Sequence, residues 1–378
     1  MTSSYENRTC SWKSSGSPKG DFLLAYANKA LQILSEGRSV VFQPENPVGR
    51  TENADYPTLG FFSGGTSGDP ELVTHSQQTI GCAVSGLVDR IGSSSLDCVC
   101  CLPLWHVGGW MQVERAWATQ AQIVFCDYRD LSKKENRDIL FGKWISLVPT
   151  QLHELIKSKH AVDCLKLAKG IFVGGAGMSF HLVQRCRSLV LPICPCYGSS
   201  ETAGMVTLLG SDLFLDGVDG VGEALPHASI QLDKDTGRVE VQASSLCLRR
   251  GSDHFQANSW LTMPDLGYIN SNNSLVITGR SDRVINSGGE KIQPEWIESI
   301  LYKSGFVEQC LVYGEPDEKW GESVTALICP TSTNLEDLKR YTKSKIPDYM
   351  YPKVWKMMDS LPITEMGKRK RNKRSKST

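Results

Sequence analysis

The sequence predicts an α/β protein with a large N-terminal α/β domain, containing a parallel sheet and a β-rich subdomain, and a small C-terminal α+β domain. Between Asp97 and Gly198, short apolar runs alternate with helix-like segments, which is typical of parallel strands covered by helices. After Asp216, short strand-like runs are joined by glycine and aspartate turns. After Gly279 the pattern changes again, and a second, smaller module begins.

The elements of the large domain follow from these runs in order. Continuous apolar stretches predict buried strands at DCVCCLPLW, AQIVFC, KGIFVGG and LPICPCYG. Helices are predicted between them at VPTQLHELIKS and SFHLVQRCRSL. The second helix begins at Ser179, and its apolar residues recur near helical spacing at Phe180, Leu182, Val183, Cys186 and Leu189.

The small domain has its own helix and strand signals. The segment PEWIESILYKS predicts a helix with proline in its first turn, and NLEDLKRYTKSK predicts a second helix capped by Asn334. Strands are predicted at EQCLVYG and SVTALICP. We place the boundary near Arg280 to Asp282, which gives domains at residues 1–279 and 280–378.

Composition excludes several classes of protein. A chain of 378 residues with 40% hydrophobic and 22% charged residues can bury a large core, and it has no apolar run long enough to cross a bilayer. The first residues, MTSSYENRTC, show no signal peptide. Thirteen cysteines without an even framework favour reduced thiols, so we expect a cytoplasmic protein.

Charge is neutral in sum but uneven along the chain. From Lys368 onward, KRKRNKRSKST contains seven basic residues and no acid, whereas residues 1–367 carry 34 basic and 41 acidic groups. Such a tail can bind nucleic acid or anionic lipid. Because no aromatic residue interrupts the tail, we favour a solvated terminus and expect no nucleic-acid partner.

A glycine-rich loop, FFSGGTSGDPELVTHS, precedes the first long helix-like segment. Its unobstructed backbone amides and its hydroxyl groups suit the oxygen atoms of a polyphosphate. The loop is not a Walker P-loop, because no lysine precedes the final hydroxyl residue. Taken alone, the segment favours a glycine-rich surface turn. The candidate phosphate-binding residues are Ser63, Gly64, Gly65, Thr66, Ser67 and Gly68.

Further motifs follow this loop in a fixed order. YGSSETAGM comes directly after an apolar strand, where the carboxyl end of a strand in an α/β sheet commonly meets a ligand. Its aromatic residue, Tyr197, can stack on a base, and its acid, Glu201, can hold a divalent cation. PDLGYI, GRSDRVINSGGEKIQPEWIE and LPITEMGKRKR complete the series.

Together these segments resemble the core motifs of the adenylate-forming superfamily of acyl-CoA ligases, luciferases and peptide-synthetase adenylation domains. The resemblance runs from Leu59 to Arg371, and its most specific part is the joint match of GRSDxxIxxGGEKIxPxxIE with PxTxxGK. With about sixty residues before the glycine loop, the chain looks most like the compact o-succinylbenzoate CoA ligases of menaquinone and phylloquinone synthesis.

The resemblance implies a nucleotide site. The glycine loop would cover the β and γ phosphates of ATP, Glu201 would bind Mg²⁺, and Thr202 would be its polar neighbour. Asp265 would bind the ribose hydroxyls, with Arg280 beside it. The residues expected to frame the adenine are Gly174, Gly175, Ala176, Tyr197 and Gly198.

The resemblance also implies residues for the acid and for coenzyme A. His106, in LPLWHVGGW, would gate the acyl pocket, and Asp282 would be the hinge between the domains. Gly288 and Gly289 would border the pantetheine tunnel, where absent side chains let a thin arm pass. Lys368 would bridge the substrate carboxylate and the α phosphate, since like charges about 4 Å apart repel by roughly 4 kcal/mol at an effective dielectric of 20.

Two positions depart from the family pattern. The family's phosphate loop usually ends TGxPKG, whereas this chain reads SGDPEL and places Glu71 where the lysine is expected. An acid there would repel phosphate unless it faces solvent. Ser200 stands where threonine is common, a change that keeps the hydroxyl group.

Other kinds of site have weaker support. A CxxC pair, Cys98 and Cys101, and the CPC pair, Cys194 and Cys196, suggest zinc, but both lie in apolar strand-like runs and favour buried core cysteines. The seven histidines form no HExxH pair, and no GxSxG or GxGxxG motif is present. We therefore expect a ligase that uses ATP, Mg²⁺ and coenzyme A on a small carboxylic acid. The alternatives are an enzyme that loads a carrier protein, another acyl- or aryl-CoA ligase, and a nucleotide-binding protein without turnover.

Overall fold

The computed structural model describes residues 12–50, 57–63, 70–256, 258–331 and 335–361. Within these ranges the α-helices are α1 (Pro18–Ser35), α2 (Gln77–Ile91), α3 (Val107–Ala118), α4 (Pro149–Leu155), α5 (Lys159–Leu165), α6 (Phe180–Ser188), α7 (Ser211–Leu215), α8 (Pro294–Lys303) and α9 (Leu335–Lys343). Short 3₁₀ helices lie at Tyr128–Ser132, Lys134–Asn136, Ser281–Arg283 and Asp348–Met350.

The strands of the first half of the described chain are β1 (Trp12–Ser14), β2 (Ser39–Phe42), β3 (Val48–Arg50), β4 (Thr58–Phe62), β5 (Leu72–Ser76), β6 (Cys98–Cys100), β7 (Ile123–Phe125), β8 (Trp144–Leu147), β9 (Gly170–Val173), β10 (Ile193–Ser199) and β11 (Gly204–Leu208). Those of the second half are β12 (Glu223–Ala224), β13 (Ala228–Leu232), β14 (Arg238–Ala243), β15 (Arg249–Arg250), β16 (Asp253–His254), β17 (Trp260–Ile269), β18 (Leu275–Arg280), β19 (Ile285–Ser287), β20 (Glu290–Ile292), β21 (Val307–Asp317), β22 (Gly321–Pro330) and β23 (Val354–Met357).

A central sheet forms the core of the large domain, with the strand order β1-β7-β6-β8-β9-β10-β11-β12. The strands from β1 to β10 are parallel, which confirms the parallel sheet expected from the continuous apolar runs. Strands β11 and β12 continue the sheet in antiparallel fashion, which the sequence did not predict. The carboxyl ends of β9 and β10 therefore lie side by side.

Two further sheets complete the large domain. The order β16-β15-β5-β4-β2-β3 joins the amino-terminal strands to a hairpin from residues 249–254, and β13-β14-β17-β18 is the expected β-rich subdomain. Strands β4 and β5 form an antiparallel hairpin whose connection is the glycine-rich loop. Residues 64–69 of that loop, with Gly64, Gly65, Thr66, Ser67 and Gly68, lie outside the described residues.

Both faces of the central sheet are covered by apolar cores. One core contains Cys98 and Cys100 of β6 together with residues of α1, α2 and α3. The other contains Val99 and Cys101, together with residues of α4, α5 and α6. Because alternate side chains of a strand point to opposite faces, Cys98 and Cys101 enter different cores and cannot share a zinc ion. The prediction of buried core cysteines is confirmed for Cys98, Cys101 and Cys194, whereas Cys196 is half-buried. The twelve cysteines of the described chain are free thiols.

The small domain has a separate core of β19, β21, β22, α8 and α9. Helix α8 begins at Pro294, as predicted, whereas the expected cap of α9, Asn334, lies outside the described residues. The domain packs on the large one through α6 and α8, where the imidazole of His181 donates to the carbonyl oxygen of Tyr302. The domain boundary near residue 280 stays a prediction, and it falls where β18 ends at Arg280.

No helix among the described residues combines the length with the hydropathy needed to traverse lipid.

Candidate active site

The carboxyl ends of β9 and β10 bring two predicted groups of adenine-framing residues together. The loop after β9 begins with Gly174, where an added Cβ would lie 2.8 Å from the sulfur of Cys196. Gly175 has a φ of +79°, a left-handed conformation that glycine adopts without strain. Ala176 is exposed in the same loop. This loop therefore lies beside β10 at Cys196, the residue that precedes Tyr197.

The start of the YGSSETAGM segment is fixed by a close approach of two strands. The register of β10 and β11 shifts between Tyr197 and Gly198, and a Cβ on Gly198 would lie 1.9 Å from the carbonyl oxygen of Gly204. The buried hydroxyl of Thr202 donates to that same oxygen at 2.6 Å and accepts from the amide of Ser199 at 2.9 Å. Thr202 thus stabilises the turn, and its predicted role beside the metal stays a prediction.

A polar network joins four of the predicted site residues. The hydroxyl of Tyr197 donates to Oδ2 of Asp265 at 2.8 Å, and Oδ1 of Asp265 lies 3.5 Å from Nη1 of Arg280. Arg280 also donates from Nε and Nη2 to the two oxygens of Asp282, at 2.9 and 2.6 Å. Strands β17 and β18 set this geometry, because Asp265 and Arg280 are partners across the ladder. The network runs from the predicted adenine site to the predicted hinge.

Burial and charge maintain the ionisation states of this network. Burial, and then the charge of Asp265, raise the pKa of Tyr197, so its phenol remains a proton donor. The hydrogen bonds and charge of Arg280 outweigh burial and lower the pKa of Asp282, which keeps that carboxylate ionised. The pKa of Arg280 is raised because its hydrogen bonds with Asp282 and the nearby carboxylates outweigh the effect of burial.

Glu201 lies on the other side of the same turn, and a buried histidine supports it. The imidazole Nε2 of His75 donates to the carbonyl oxygen of Ser200 at 2.7 Å, and the amide of Cys247 donates to the carbonyl oxygen of Glu201 at 2.8 Å. Burial lowers the pKa of His75 to about 4, although the Ser200 contact and the charge of Glu201 oppose it. His75 is therefore neutral at pH 7.

The Glu201 carboxylate fits the way in which proteins hold Mg²⁺ with a nucleotide. Its side chain is 15% exposed, and Oε1 lies 3.6 Å from Nη1 of Arg250. No cluster of three or more metal-ligating His, Cys, Asp or Glu side chains occurs among the described residues. Mg²⁺ is commonly bound by one or two carboxylates together with substrate phosphates, so a single glutamate here is consistent with Mg·ATP rather than with a protein-only metal cage.

Glu71 does not stand alone beside the phosphate loop. Its Oε2 lies 3.6 Å from Nε of Arg250, whose Nη2 also donates to Asp253 at 3.1 Å. The side chain of Glu71 is 55% exposed, so it faces solvent, as the sequence allowed, and it also has a neighbouring cation that no sequence motif indicated. Ser63, the described member of the predicted loop, donates its amide to the carbonyl oxygen of Glu71 at 2.8 Å.

The remaining predicted residues are placed as follows. His106 precedes α3 as its amino-terminal cap residue and lies against Trp105, with ring centroids 6.0 Å apart. Gly288 and Gly289, both with positive φ, form the exposed turn between β19 and β20, where Gly288 donates its amide to the carbonyl oxygen of Trp320. These contacts lie outside the Tyr197 network, and Lys368 lies outside the described residues. The roles predicted for these residues stay predictions.

Two residues of the site were missed from sequence. The sequence motifs assign no role to His75, and its buried contact with Ser200 supports the Glu201 turn. Arg250 had no motif of its own. The only signal that could have pointed to it was the acid at Glu71, which calls for a compensating charge elsewhere.

Comparison with known families decides the classification. A model of AMP-binding enzymes matches residues 11–250, and a model of the AMP-binding enzyme C-terminal domain matches residues 296–368. The chain belongs to the AMP-binding enzyme family. The resemblance drawn from the motifs is thereby confirmed.

Curated relatives of this AMP-binding enzyme include 2-succinylbenzoate–CoA ligases. That of Enterococcus faecalis is 25% identical over 324 residues, which cover 81% of this chain and 67% of the relative. That of Bacillus subtilis is 26% identical over 333 residues, with 82% and 67% covered. This chain therefore spans about two thirds of the length of these relatives.

Solved structures share the fold of this AMP-binding enzyme. The o-succinylbenzoate coenzyme A synthetase of Bacillus subtilis, in complex with ATP and magnesium ion, matches with a TM-score of 0.71 and 23% identity over 83% of this chain and 68% of that one. An amide bond synthetase of Marinactinospora thermotolerans matches with a TM-score of 0.70 and 21% identity over 82% and 67%. The large α/β domain with a smaller C-terminal domain is thus confirmed.

Proposed function

We propose that this protein is an ATP-dependent carboxylic acid:CoA ligase that forms an acyl adenylate, with o-succinylbenzoate as its acid. One observation carries the proposal: Tyr197, Asp265 and Arg280 form one polar network beside Glu201, at the carboxyl edge of the parallel sheet of an AMP-binding enzyme. Such an edge is where open α/β sheets bind nucleotides. The names of the curated relatives support the choice of acid.

The arrangement of the described residues supports the proposed nucleotide binding. Tyr197 offers a ring for the adenine, and its hydroxyl holds Asp265 ready to accept hydrogen bonds from the ribose. Glu201, with the phosphates, would hold Mg²⁺. When bound, that ion neutralises charge on the departing pyrophosphate. The buried His75 contact fixes the turn that presents Glu201.

In the proposed first half-reaction the substrate carboxylate attacks the α phosphate of ATP. The new bond is between a carboxylate oxygen and phosphorus, and the bond to the β phosphate breaks, so pyrophosphate leaves with the electron pair. A carboxylate and a polyanion repel each other, and the ammonium group of Lys368 is the cation that we assign to this encounter.

In the second half-reaction the thiol of coenzyme A attacks the acyl carbon and AMP departs, while the thiol proton is released. The proposed movement is a swing of the small domain about Asp282, which removes Lys368 and brings Gly288 and Gly289 to the site. The ion pair between Asp282 and Arg280 supports this assignment, because it links the proposed hinge to the proposed nucleotide-binding residues. Since the reaction draws on ATP and coenzyme A, we propose a cytoplasmic location.

The acyl acceptor has a second candidate. The amide bond synthetase matches this fold with a TM-score of 0.70, nearly the value found for the CoA synthetase. An amine, or a carrier-protein thiol, is therefore the alternative to free coenzyme A. A third possibility, a nucleotide-binding protein without turnover, is consistent with the acid at Glu71.

A panel of carboxylic acids tests the proposal. Purified protein is assayed for ATP-dependent AMP release with each acid, including o-succinylbenzoate and benzoate, with and without coenzyme A. We expect release to be highest with o-succinylbenzoate and to require coenzyme A for rapid turnover. Pyrophosphate exchange without any response to coenzyme A would favour another acceptor, and no exchange with any acid would refute the ligase function.

Lys368→Ala separates a catalyst from a nucleotide-binding protein. A catalyst loses acyl-adenylate formation by orders of magnitude, while its ATP affinity changes little, because the lysine acts mainly on the transition state. Pyrophosphate exchange and isothermal titration with ATP measure the two quantities. Lys373→Ala, in the same basic tail, is the matched control and should leave both unchanged.

A further inference from the structure

Arg250 lies on β15, which pairs with the strand that leaves the glycine-rich loop, and three carboxylates surround its guanidinium. Its Nε lies 3.6 Å from Glu71, its Nη1 lies 3.6 Å from Glu201, and its Nη2 lies 3.1 Å from Asp253. These acids come from separate stretches of the chain. Without the guanidinium, they would present only negative charge to a polyphosphate, at a cost of roughly 4 kcal/mol for each unit pair about 4 Å apart.

The backbone holds Arg250 in register with the loop. Strand β15 pairs antiparallel with β5, where Arg250 lies opposite Val73, and the amide of Gly251 donates to the carbonyl oxygen of Leu72 at 3.0 Å. Across the mouth of the loop, the amide of Glu71 donates to the hydroxyl of Ser63 at 3.1 Å. One ladder therefore connects Arg250 to the strand that leaves the loop.

The guanidinium keeps hydrogen-bonding capacity in this arrangement. Its buried Nε has no hydrogen-bond acceptor among the described residues, and Nη1 lies 3.6 Å from Oε1 of Glu201, which exceeds hydrogen-bond length. Nη1 is therefore the donor that we assign to a ligand. The ring of Phe255 lies beneath the group at 5.6 Å and limits its movement. The side chain is 30% exposed, so a ligand can reach it.

We propose that Arg250 binds the β and γ phosphates of ATP and that Glu71 orients its guanidinium for this contact. A guanidinium suits this task because its planar donors match phosphate oxygens in a bidentate manner. The cation that a loop lysine would supply at position 71 is thus supplied from β15, and the acid at that position becomes a support for the arginine. This inference rests on the proposed function, since it requires a nucleotide site.

Two ligands that differ in the β and γ phosphates separate the proposed arginine–phosphate contact from the rest of nucleotide binding. Isothermal titration of the full chain gives its dissociation constants for two ligands, AMP and the Mg²⁺ complex of α,β-methylene-ATP. AMP shares the adenine, ribose and α phosphate but lacks the β and γ phosphates. Arg250→Gln is expected to weaken the analogue more than tenfold and AMP less than threefold. Arg250→Lys should fall between the wild type and Arg250→Gln for the analogue.

A double variant tests whether a cation at position 71 can replace the cation at position 250. Adding Glu71→Lys to Arg250→Gln places a cation back on the loop and should recover at least threefold in analogue affinity. Arg38→Gln, which disrupts an exposed ion pair with Glu36, is the control and should change neither ligand. Equal losses for AMP and the analogue would mean a purely structural role for Arg250 and would overturn the proposal, as would no loss for either.

A third variant keeps the test open if Arg250→Gln does not fold. Glu71 is 55% exposed, so Glu71→Gln should fold. We expect weaker analogue binding with AMP unchanged, because the arginine loses its support. Tighter binding would show that Glu71 only repels phosphate and would overturn its orienting role. A wild-type protein that binds neither ligand would refute the proposed function together with this inference.

Discussion

The neutral, fully buried His75 should make the protein sensitive to acid. Its pKa falls from an ordinary 6.5 to about 4 because burial penalises the charged imidazolium. The unfolded chain therefore binds a proton at a higher pH than the folded one. Stability contributed by the neutral ring is present above pH 6.5 and is lost as the pH falls from 6.5 towards 4.

The magnitude follows from the same two pKa values. The full displacement corresponds to about 3 kcal/mol below pH 4, and linkage gives a loss of about 2 kcal/mol by pH 5. The hydrogen bond to Ser200 survives protonation, because Nε2 is the donor in both forms. Protonation does change Nδ1, which lies 3.1 Å from the hydroxyl of Thr79, from an acceptor to a donor, so the loss combines desolvation, as its largest part, with the reversal of this contact.

The variant His75→Gln tests this reasoning. Glutamine offers an amide donor to Ser200 and does not titrate, so the variant should lose less stability between pH 7.5 and pH 5 than the wild type, by about 2 kcal/mol. Urea unfolding followed by tryptophan fluorescence at both pH values gives the difference. His160→Gln, at an exposed position in α5, is the control.

Identical pH dependence in His75→Gln and the wild type would refute the reasoning, because the buried imidazole would then not be the titrating group. Burial also lowers the pKa of the half-buried His227 to about 4. This residue should account for a further part of the acid sensitivity, and that part should persist in the His75→Gln variant.

Two further predictions concern the turn around Tyr197. Gly198→Ala should lower the free energy of unfolding by about 3 kcal/mol, because the new Cβ would lie 1.9 Å from a backbone oxygen that cannot move aside. Gly177→Ala, where a Cβ meets nothing within 4 Å, is its control in denaturant unfolding, and equal effects of the two would contradict the prediction. Tyr197→Phe removes a hydrogen bond to a carboxylate worth about 1.5–3 kcal/mol, so KM for ATP should rise at least tenfold with a smaller change in kcat. The exposed Tyr268→Phe is the matched control, and a fall in kcat alone would argue against a ribose-binding role for Asp265.

Much of the fold could be predicted because its signals are local. Continuous apolar runs indicated the parallel strands, and proline and serine caps indicated where α8 and α6 begin. The segment after Asp216 was correctly assigned to a β-rich subdomain by its glycine and aspartate turns. The antiparallel pairing of β11 with β10 was not predicted, since the direction of pairing depends on a chain reversal and not on periodicity.

Some residues of the candidate site could likewise be predicted from the sequence, and others could not. The family resemblance pointed to Tyr197, Asp265, Arg280 and Asp282, and the structure joins them into one network. No local pattern could place Arg250 beside Glu71, since these residues are far apart in the sequence. Their contact arises from the pairing of β15 with β5.

The sequence by itself determined the order of the elements, the burial of the cysteines and the family motifs, because each depends on neighbouring residues or on strand and helix periodicity. Only the tertiary structure decided which charges meet. It buried His75 under the Glu201 turn and gave the acid of the phosphate loop an arginine partner. The physical reason is that strand register fixes such contacts, and register is set by the packing of whole sheets.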